Sequence, residues 1–235
     1  MKDNVMPEDK WKFDQDVTDV FDNMLERSIV QYDVMRDLCF NLGKNFVKKD
    51  SDIVDLGAST GEAINPFIEK FGAYNRFHCI EVSESMIEKL KNRFDGYTNT
   101  GIVSIKNLDL RNDFPCVQAS LILSILTIQF IPIEYRQNII QKVYDNLLPN
   151  GAFIFVEKIL GNSAEIDSIF IEKYYDIKKK NGYSQEQIER KRLSLEGVLV
   201  PITSKWNEDL LKTVGFKKVD CFWRFLNFSG WIAIK

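Results

Sequence analysis

This sequence of 235 residues has very little histidine and no closely spaced cysteines. His78 is the single histidine, and the four cysteines lie far apart without a C-x-x-C pair. This inventory argues against a zinc site of cysteine and histidine, a histidine-based catalytic triad and a disulfide framework. We therefore expect a protein of the reducing cytoplasm that holds no metal.

Long apolar runs and an excess of charge of one sign are also missing. The longest apolar run, residues 119–126, has the length of a buried strand, whereas a membrane span needs roughly 20 residues. The 31 Lys and Arg nearly balance the 34 Asp and Glu, so the net charge of -3 attracts neither nucleic acid nor an anionic membrane. We expect no direct nucleic acid binding and no membrane partner.

Hydrophobic periodicity divides the chain in two. Apolar residues at three- and four-residue steps predict two helices within 13–46, after a loose arm. From residue 51 onward, short apolar strands alternate with helices, which indicates parallel βαβ units. The predicted strands are 52–56, 76–81, 103–108, 119–125 and 152–156, with an antiparallel pair at 217–223 and 225–234. The predicted fold is α/β, a Rossmann-like sheet with helices on both faces.

The predicted domains follow from this division. Residues 1–50 form an N-terminal arm and helical extension, and residues 51–235 form the α/β domain. Two helices around a turn at Asn181-Gly182 interrupt the alternation as an insertion over 163–200. Because insertions late in such folds often cover the substrate, we interpret this one as a lid.

A glycine-bearing turn over residues 55–61, with the sequence DLGASTG, follows the first predicted strand. The first βα turn of a parallel sheet is where a nucleotide-like ligand binds. Gly57 lets the backbone approach such a ligand, Ser59 offers a hydroxyl, and Gly61 lets the next helix start close to the strand. The spacing fits neither G-x-G-x-x-G nor G-x-x-x-x-G-K-[ST], which argues against a bound pyrophosphate or triphosphate. An ordinary glycine turn is the alternative.

Two acidic positions follow the next strands. Glu81 ends the second predicted strand about 20 residues after the turn, where a carboxylate accepts hydrogen bonds from a ribose diol. Asp109 follows the third strand beside Leu110 and has the side chain to accept a hydrogen bond from an exocyclic amino group. Each position alone also fits a solvated strand end, whereas their order and spacing together predict a nucleoside site.

This order of motifs resembles the class I S-adenosylmethionine-dependent methyltransferase superfamily. Within it, nearly the whole chain from residue 13 is similar to the carboxy-S-adenosylmethionine synthase family. The matching stretches are Phe13-Asp14, Val20-Phe21, Met24, Arg27-Ser28, Tyr32, Val54 to Gly57, Ser85 to Glu88, Thr127, Gln129-Phe130, Asn181 to Ser184, Lys191-Arg192, Leu195-Glu196 and Asn227-Phe228.

The resemblance implies an enzyme that binds S-adenosylmethionine and prephenate and makes carboxy-S-adenosylmethionine for the modification of wobble uridine in tRNA. It also implies a homodimer. The cofactor-binding residues it indicates are Tyr32, Asp55, Gly57, Ala58, Ser59, Gly61, Glu81, Val82, Asp109, Leu110 and Ile125. The catalytic residues it indicates are Arg192 and Tyr32, with the guanidinium of Arg192 binding a carboxylate through two hydrogen bonds. The alternative for Arg192 is a solvated helix face.

Three departures from the family leave other functions open. Ala58 stands where the family has cysteine, Val82 where it has the asparagine of an Asp-Asn pair, and Ile125 where it has asparagine after the fourth strand. The last two changes remove polar contacts to the cofactor. A conventional S-adenosylmethionine-dependent methyltransferase acting on a small molecule or RNA is therefore the alternative, and a nucleoside-binding protein without turnover is a third hypothesis.

Overall fold

The computed structural model describes residues 2–235. A twisted sheet of eight strands lies at the centre of the fold. Met1, the first residue of the predicted arm, lies outside the described residues. The strands are β1 Asp52–Leu56, β2 Arg76–Glu81, β3 Val103–Asn107, β4 Ala119–Ile125, β5 Leu147–Leu160, β6 Ile202–Thr203, β7 Lys218–Phe225 and β8 Phe228–Ile234. Their order is β3-β2-β1-β4-β5-β8-β7, with β6 paired to β5. Strands β1 to β6 pair in parallel, and β8 is antiparallel to both β5 and β7.

Helices connect these strands on both faces of the sheet. They are α1 Gln15–Ser28, α2 Tyr32–Gly43, α3 Asn65–Phe71, α4 Glu84–Arg93, α5 Asp95–Asn99, α6 Ile133–Asn146, α7 Ala164–Lys180, α8 Gln185–Leu195 and α9 Ser204–Thr213. A short 3-10 helix, Ile128–Phe130, follows β4. None of the helices in residues 2–235 combines the length and the apolar character needed to cross a bilayer.

The predicted Rossmann-like α/β fold is confirmed. Strands β1, β2 and β4 have the predicted bounds, and the terminal strands form the expected antiparallel pair. Strand β5 is much longer than predicted, because Leu147 already pairs with Ala119 directly after α6 and the chain stays extended as far as Leu160. Helix α3 begins at Asn65 rather than directly after the glycine turn, because the chain from Gly61 still turns away from the strand.

Side-chain caps begin the helices that surround the carboxyl ends of the strands. The side chain of Asp14 accepts a hydrogen bond from the backbone N–H of Val17, and that of Ser83 from Met86. Helix α8 begins with a reciprocal capping box over residues 184–187. Such caps satisfy backbone donors that would otherwise be unpaired, so each helix starts at a fixed residue.

The core lies on both faces of the sheet, and α2 contributes to it. Met35 and Cys39 of α2 are buried in one cluster with Ile53, Phe67 and Leu121 from the sheet and α3. Helix α1 belongs to a smaller cluster that also contains Trp11 and Met86. The helical extension is thus packed onto the α/β domain. The boundary between two domains at residue 50 stays a prediction.

Candidate functional site

A cavity of about 420 Å³, which we call the main cavity, lies at the carboxyl ends of β1, β2 and β4. The strand order reverses between β1 and β4, and α/β sheets bind their ligands at such a point. Helices α1 and α2 and the inserted helices α7 and α8 complete the walls. The predicted residues that line this cavity are Tyr32, Asp55, Gly57, Ala58, Ser59, Glu81, Val82, Asp109, Leu110 and Ile125.

The glycine turn has the backbone geometry that only glycine adopts easily. Gly57 has φ +74°, and a Cβ atom there would overlap the side chain of Thr127. The N–H groups of Gly57 and Ala58 donate to the carbonyl of Ile80 at 2.8 and 3.0 Å, which ties the turn to β2. Gly61, which does not line the cavity, has φ +83°, and a Cβ there would lie 2.6 Å from the ring of Phe94. Gly61 therefore serves close packing.

Glu81 is fixed at the rim of the cavity by backbone donors. Its Oε2 accepts from the N–H of Ser59 at 2.9 Å, and its Oε1 accepts from Val82 at 2.8 Å and Ser83 at 2.9 Å. An ionised carboxylate has about four acceptor positions, so at least one is left for a ligand hydroxyl. Val82 contributes its backbone here, since its side chain is exposed.

Asp55 supplies an unsatisfied carboxyl oxygen to the cavity. Its side chain is 1% exposed, and its Oδ2 has no hydrogen-bond partner among residues 2–235. Burial raises the pKa of Asp55 to about 7, the nearby charge of Arg36 opposes this, and Glu81 adds to it. A cationic ligand would favour the ionised form and satisfy the orphaned oxygen.

Arg36 is a cavity residue that the sequence reasoning missed. It lies one helical turn after Tyr32 on α2, with its guanidinium 5.8 Å from the centre of the Tyr32 ring. The spacing of four residues, which puts both side chains on one helix face, was the available signal. Burial raises the pKa of the Tyr32 hydroxyl to about 12.

The third acidic residue is paired rather than free. Arg111 Nε lies 2.9 Å from Asp109 Oδ2, and this hydrogen bond is the main reason why the pKa of Asp109 is lowered. Leu110 beside it is buried and offers an apolar wall, as does the half-buried Ile125. The pair of a charged acceptor and an apolar surface suits the edge and the face of a nucleobase.

Arg192 lies away from these residues. It is exposed on α8 and lines a second cavity, of about 250 Å³, rather than the main one. The two cavities share the wall residues Lys158, Tyr174, Lys178, Lys191, Leu195 and Leu199. The predicted carboxylate-binding role of Arg192 therefore stays a prediction, located at the second cavity. Within the described chain, no three His, Cys, Asp or Glu side chains group as metal ligands do.

Comparison with known proteins agrees with this geometry. A methyltransferase domain family matches residues 54–153. The carboxy-S-adenosyl-L-methionine synthase of Wolinella succinogenes is 36% identical over 240 residues, covering 100% of this chain and 99% of the relative. The synthase of the same name from Methylococcus capsulatus is 35% identical over 228 residues, covering 97% of this chain and 94% of the relative.

A solved structure extends the likeness at the level of the fold. An O-methyltransferase family protein from Burkholderia thailandensis superposes with a TM-score of 0.65 at 13% identity, covering 95% of this chain and 60% of that one. The fold, the glycine turn with its acidic strand ends, and identity over nearly the whole chain lead to one assignment. The chain belongs to the carboxy-S-adenosyl-L-methionine synthase family, within the class I S-adenosylmethionine-dependent methyltransferases.

Proposed function

We propose that this protein forms carboxy-S-adenosylmethionine from S-adenosylmethionine and prephenate. In the proposed reaction, the bond between the ring of prephenate and its ring carboxyl group breaks and the ring hydroxyl leaves, which makes phenylpyruvate. The carboxyl carbon forms a bond with the methyl carbon on the sulfonium, and the proton that this methyl group loses leaves with the hydroxyl as water. The proposal agrees with the name of its full-length relatives. The product would serve wobble uridine modification of tRNA in the cytoplasm, and we expect the enzyme to be a homodimer.

The observation that carries the cofactor part is the orphaned, buried Oδ2 of Asp55 in the main cavity. S-adenosylmethionine brings positive charge on its sulfonium and its ammonium group, which an unpaired carboxylate stabilises. Gly57 lets Thr127 pack directly against the turn at this point, because a Cβ on residue 57 would overlap the Thr127 side chain. In this proposal Asp55 holds the ammonium group, Glu81 the ribose, and Asp109 with Leu110 the adenine.

The bound cofactor would supply an activated one-carbon group at its sulfonium. The residues of this chain then have to position the donor in line with that group and exclude water. Tyr32 and Arg192 are the catalytic residues that we propose. Tyr32 lines the main cavity, and Arg192 would bind a carboxylate of the donor from the second cavity.

A conventional methyltransferase is the second candidate, and one observation favours it. Ile125 presents an apolar side chain to the cavity where the resembling family has asparagine, so a polar contact to the cofactor that the resemblance implies is lost. Such an enzyme would transfer the methyl group to an acceptor without needing prephenate.

Mass spectrometry decides between the two. Purified protein is incubated with S-adenosylmethionine and prephenate, and we expect a nucleoside one carboxyl group heavier than the cofactor. Methyl transfer to another acceptor without any prephenate-dependent product would overturn the synthase proposal.

The same assay tests Arg192. Arg192→Ala should lose the carboxylated product while its affinity for S-adenosylmethionine, measured by calorimetry, stays unchanged. Arg190→Ala is the matched control, because Arg190 is exposed on the same helix and pairs with Glu186 at 3.0 Å. Full product formation by Arg192→Ala would show that this arginine has no role in binding the donor.

A further inference from the structure

Two lysines on the wall between the cavities carry charge that the protein does not neutralise. Lys158 lies near the end of β5 and Lys178 near the end of α7, and each lines both cavities. Their ammonium groups converge on one ring, at 5.2 and 5.5 Å from the centre of Tyr174. Within the described chain neither ammonium group donates a hydrogen bond to a protein acceptor or forms an ion pair, although Lys178 is only 7% exposed.

The neighbouring charges do not remove this excess. Lys191 on α8 is paired with Asp3, whose carboxylate also accepts a hydrogen bond from Tyr183. The acidic residues on the second cavity are Asp167, which accepts from the N–H of Gly161 at 2.7 Å, and the exposed Glu196. Positive charges from Lys158, Lys178 and Arg192 therefore outnumber the negative charges that face the second cavity.

Burial makes this arrangement costly for the protein alone. It lowers the pKa of Lys178 to about 7 and that of Lys158 to about 8, and repulsion from Lys191 and Lys158 adds to the effect on Lys178. An anion bound beside them would reverse both effects. The charge of Asp167 opposes the shift at Lys158 but forms no ion pair with it. A buried Lys178 and a half-buried Lys158 without ion-pair partners thus indicate a missing negative charge.

An amide group on the second cavity gives an independent observation. Asn227 lies in the turn between β7 and β8 and is 1% exposed, yet neither its Oδ1 nor its Nδ2 has a partner among residues 2–235. Buried side-chain amides nearly always make hydrogen bonds in native proteins. Its backbone carbonyl, by contrast, accepts from Ile159 at 2.8 Å, so the turn itself is well anchored.

We propose that Lys158, Lys178 and Asn227 form the binding site for the carboxylates of a dianionic carboxyl donor, at the wall between the two cavities. This inference rests on the proposed function and names the residues that hold its second substrate. The two ammonium groups neutralise the dianion, and the amide of Asn227 donates to a carboxylate oxygen. Donation of one carboxyl group leaves a product with a single carboxylate, which these residues bind more weakly and release.

The test compares three variants with a matched control. Lys158→Met, Lys178→Met and Asn227→Leu keep side-chain size, and Lys179→Met removes an exposed lysine next to Lys178 on the same helix. Binding of prephenate to protein saturated with S-adenosylhomocysteine is measured by calorimetry, and KM for prephenate is measured in the product assay. We expect prephenate to bind about 10- to 100-fold more weakly to the three variants, the usual range for a lost charge-assisted hydrogen bond. The control and the affinity for S-adenosylmethionine should change less than twofold.

Stability distinguishes a binding role from a structural one. Replacing a buried, unpaired ammonium group with an apolar side chain should leave the midpoint of thermal unfolding unchanged or raise it. If Lys178→Met unfolds, Lys178→Gln keeps a polar group of similar length and provides the same comparison. Folded variants that bind prephenate as tightly as the wild type would overturn the inference.

The outcomes also separate this inference from the proposed function. If the wild type makes carboxy-S-adenosylmethionine and the variants have an unchanged KM for prephenate, only the lysine site is wrong. If the wild type makes no such product but binds malonate, a simple dicarboxylate, in a way that requires Lys158 and Lys178, the site is supported and the proposed substrate is wrong.

Discussion

Gly57 shows how one residue connects the backbone to the ligand site. Its φ of +74° is disfavoured for residues with a side chain, and Thr127 occupies the space in which a Cβ would lie. The absence of a side chain therefore does two things: it permits the turn, and it lets Thr127 pack against the turn at the floor of the cavity.

Alanine at Gly57, compared with alanine at a glycine that has free space around it, should separate these two effects. Gly57→Ala should weaken S-adenosylmethionine binding at least about tenfold and lower the free energy of unfolding by about 2–4 kcal/mol, the sum of left-handed strain and overpacking. Gly101→Ala is the control, because Gly101 has φ +73° and a Cβ there meets nothing within 4 Å. It should cost about 1–2 kcal/mol of strain alone and leave binding intact. Calorimetry and urea unfolding measure both quantities, and equal behaviour of the two variants would contradict this account.

The residues that line the two cavities or fix their rims differ in how far the sequence predicts them. Gly57 and Glu81 could be predicted because a glycine turn after a strand and an acidic strand end are local patterns with a known spacing. Lys178 and Asn227 could not, because a lysine in a helix and an asparagine in a turn are usually solvated. Only the packing of α7 and of the β7–β8 turn against β5 buries them.

At the scale of elements, a buried ion pair joins the N-terminal arm to helix α8. Asp3 is fully buried and Lys191 is 3% exposed. Farther along the arm, the backbone N–H of Trp11 donates to the carbonyl of Ser194 at 2.9 Å. The arm was predicted to be loose, since its composition is charged and lacks an apolar pattern. Because Tyr183 and Lys191, whose side chains donate to the Asp3 carboxylate, lie 180 and 188 positions away in the sequence, no local signal showed the attachment to α8.

Breaking this pair should loosen α8. Asp3→Asn and Lys191→Met should each lower the free energy of unfolding by about 3–5 kcal/mol, because each leaves a buried group without its partner. The double variant Asp3→Leu/Lys191→Met should recover most of that loss. Lys205→Met, in an ion pair whose lysine side chain is 81% exposed, should cost less than about 1 kcal/mol. Urea unfolding measures these free energies. Hydrogen exchange of the α8 amides should become faster only in the single variants. Additive losses of stability in the double variant would contradict the pairing of Asp3 with Lys191.

Across the whole molecule, the sequence predicts the alternation of elements better than their arrangement. Periodicity located most strands and helices, because each buries one apolar face. The insertion of β8 between β5 and β7, and the extension of β5 back to Leu147, are set by pairing between distant segments. The same long-range packing forms the shared wall of the two cavities, so the sequence indicated the residues of this wall less clearly than it indicated the glycine turn.

Stability of the whole fold should fall as the pH rises from 5 to 7. Above pH 7, Lys178 and Lys158, whose pKa values are lowered by burial, oppose the fall. Burial raises the pKa of Asp55 to about 7 and that of Glu157 to about 8, against the opposing charge of Arg36 near Asp55 and of Arg136 near Glu157. A carboxyl group whose pKa is higher in the folded than in the unfolded state favours folding below its unfolded pKa. That contribution is lost as the pH rises through its folded pKa.

Asp55→Asn tests this dependence. Between pH 5 and 8 the Asp55 carboxyl alone should account for a loss of about 2 kcal/mol in the free energy of unfolding, which the variant should no longer show. Asp220→Asn, on the exposed face of β7, is the control and should keep the slope of the wild type. Urea unfolding of the ligand-free protein at several pH values gives the slope. Saturating S-adenosylmethionine should flatten the pH dependence of the wild type as the mutation does, because its positive charge next to Asp55 lowers the pKa of Asp55. If neither the mutation nor the cofactor changes the pH dependence, the charge of the cofactor lies elsewhere.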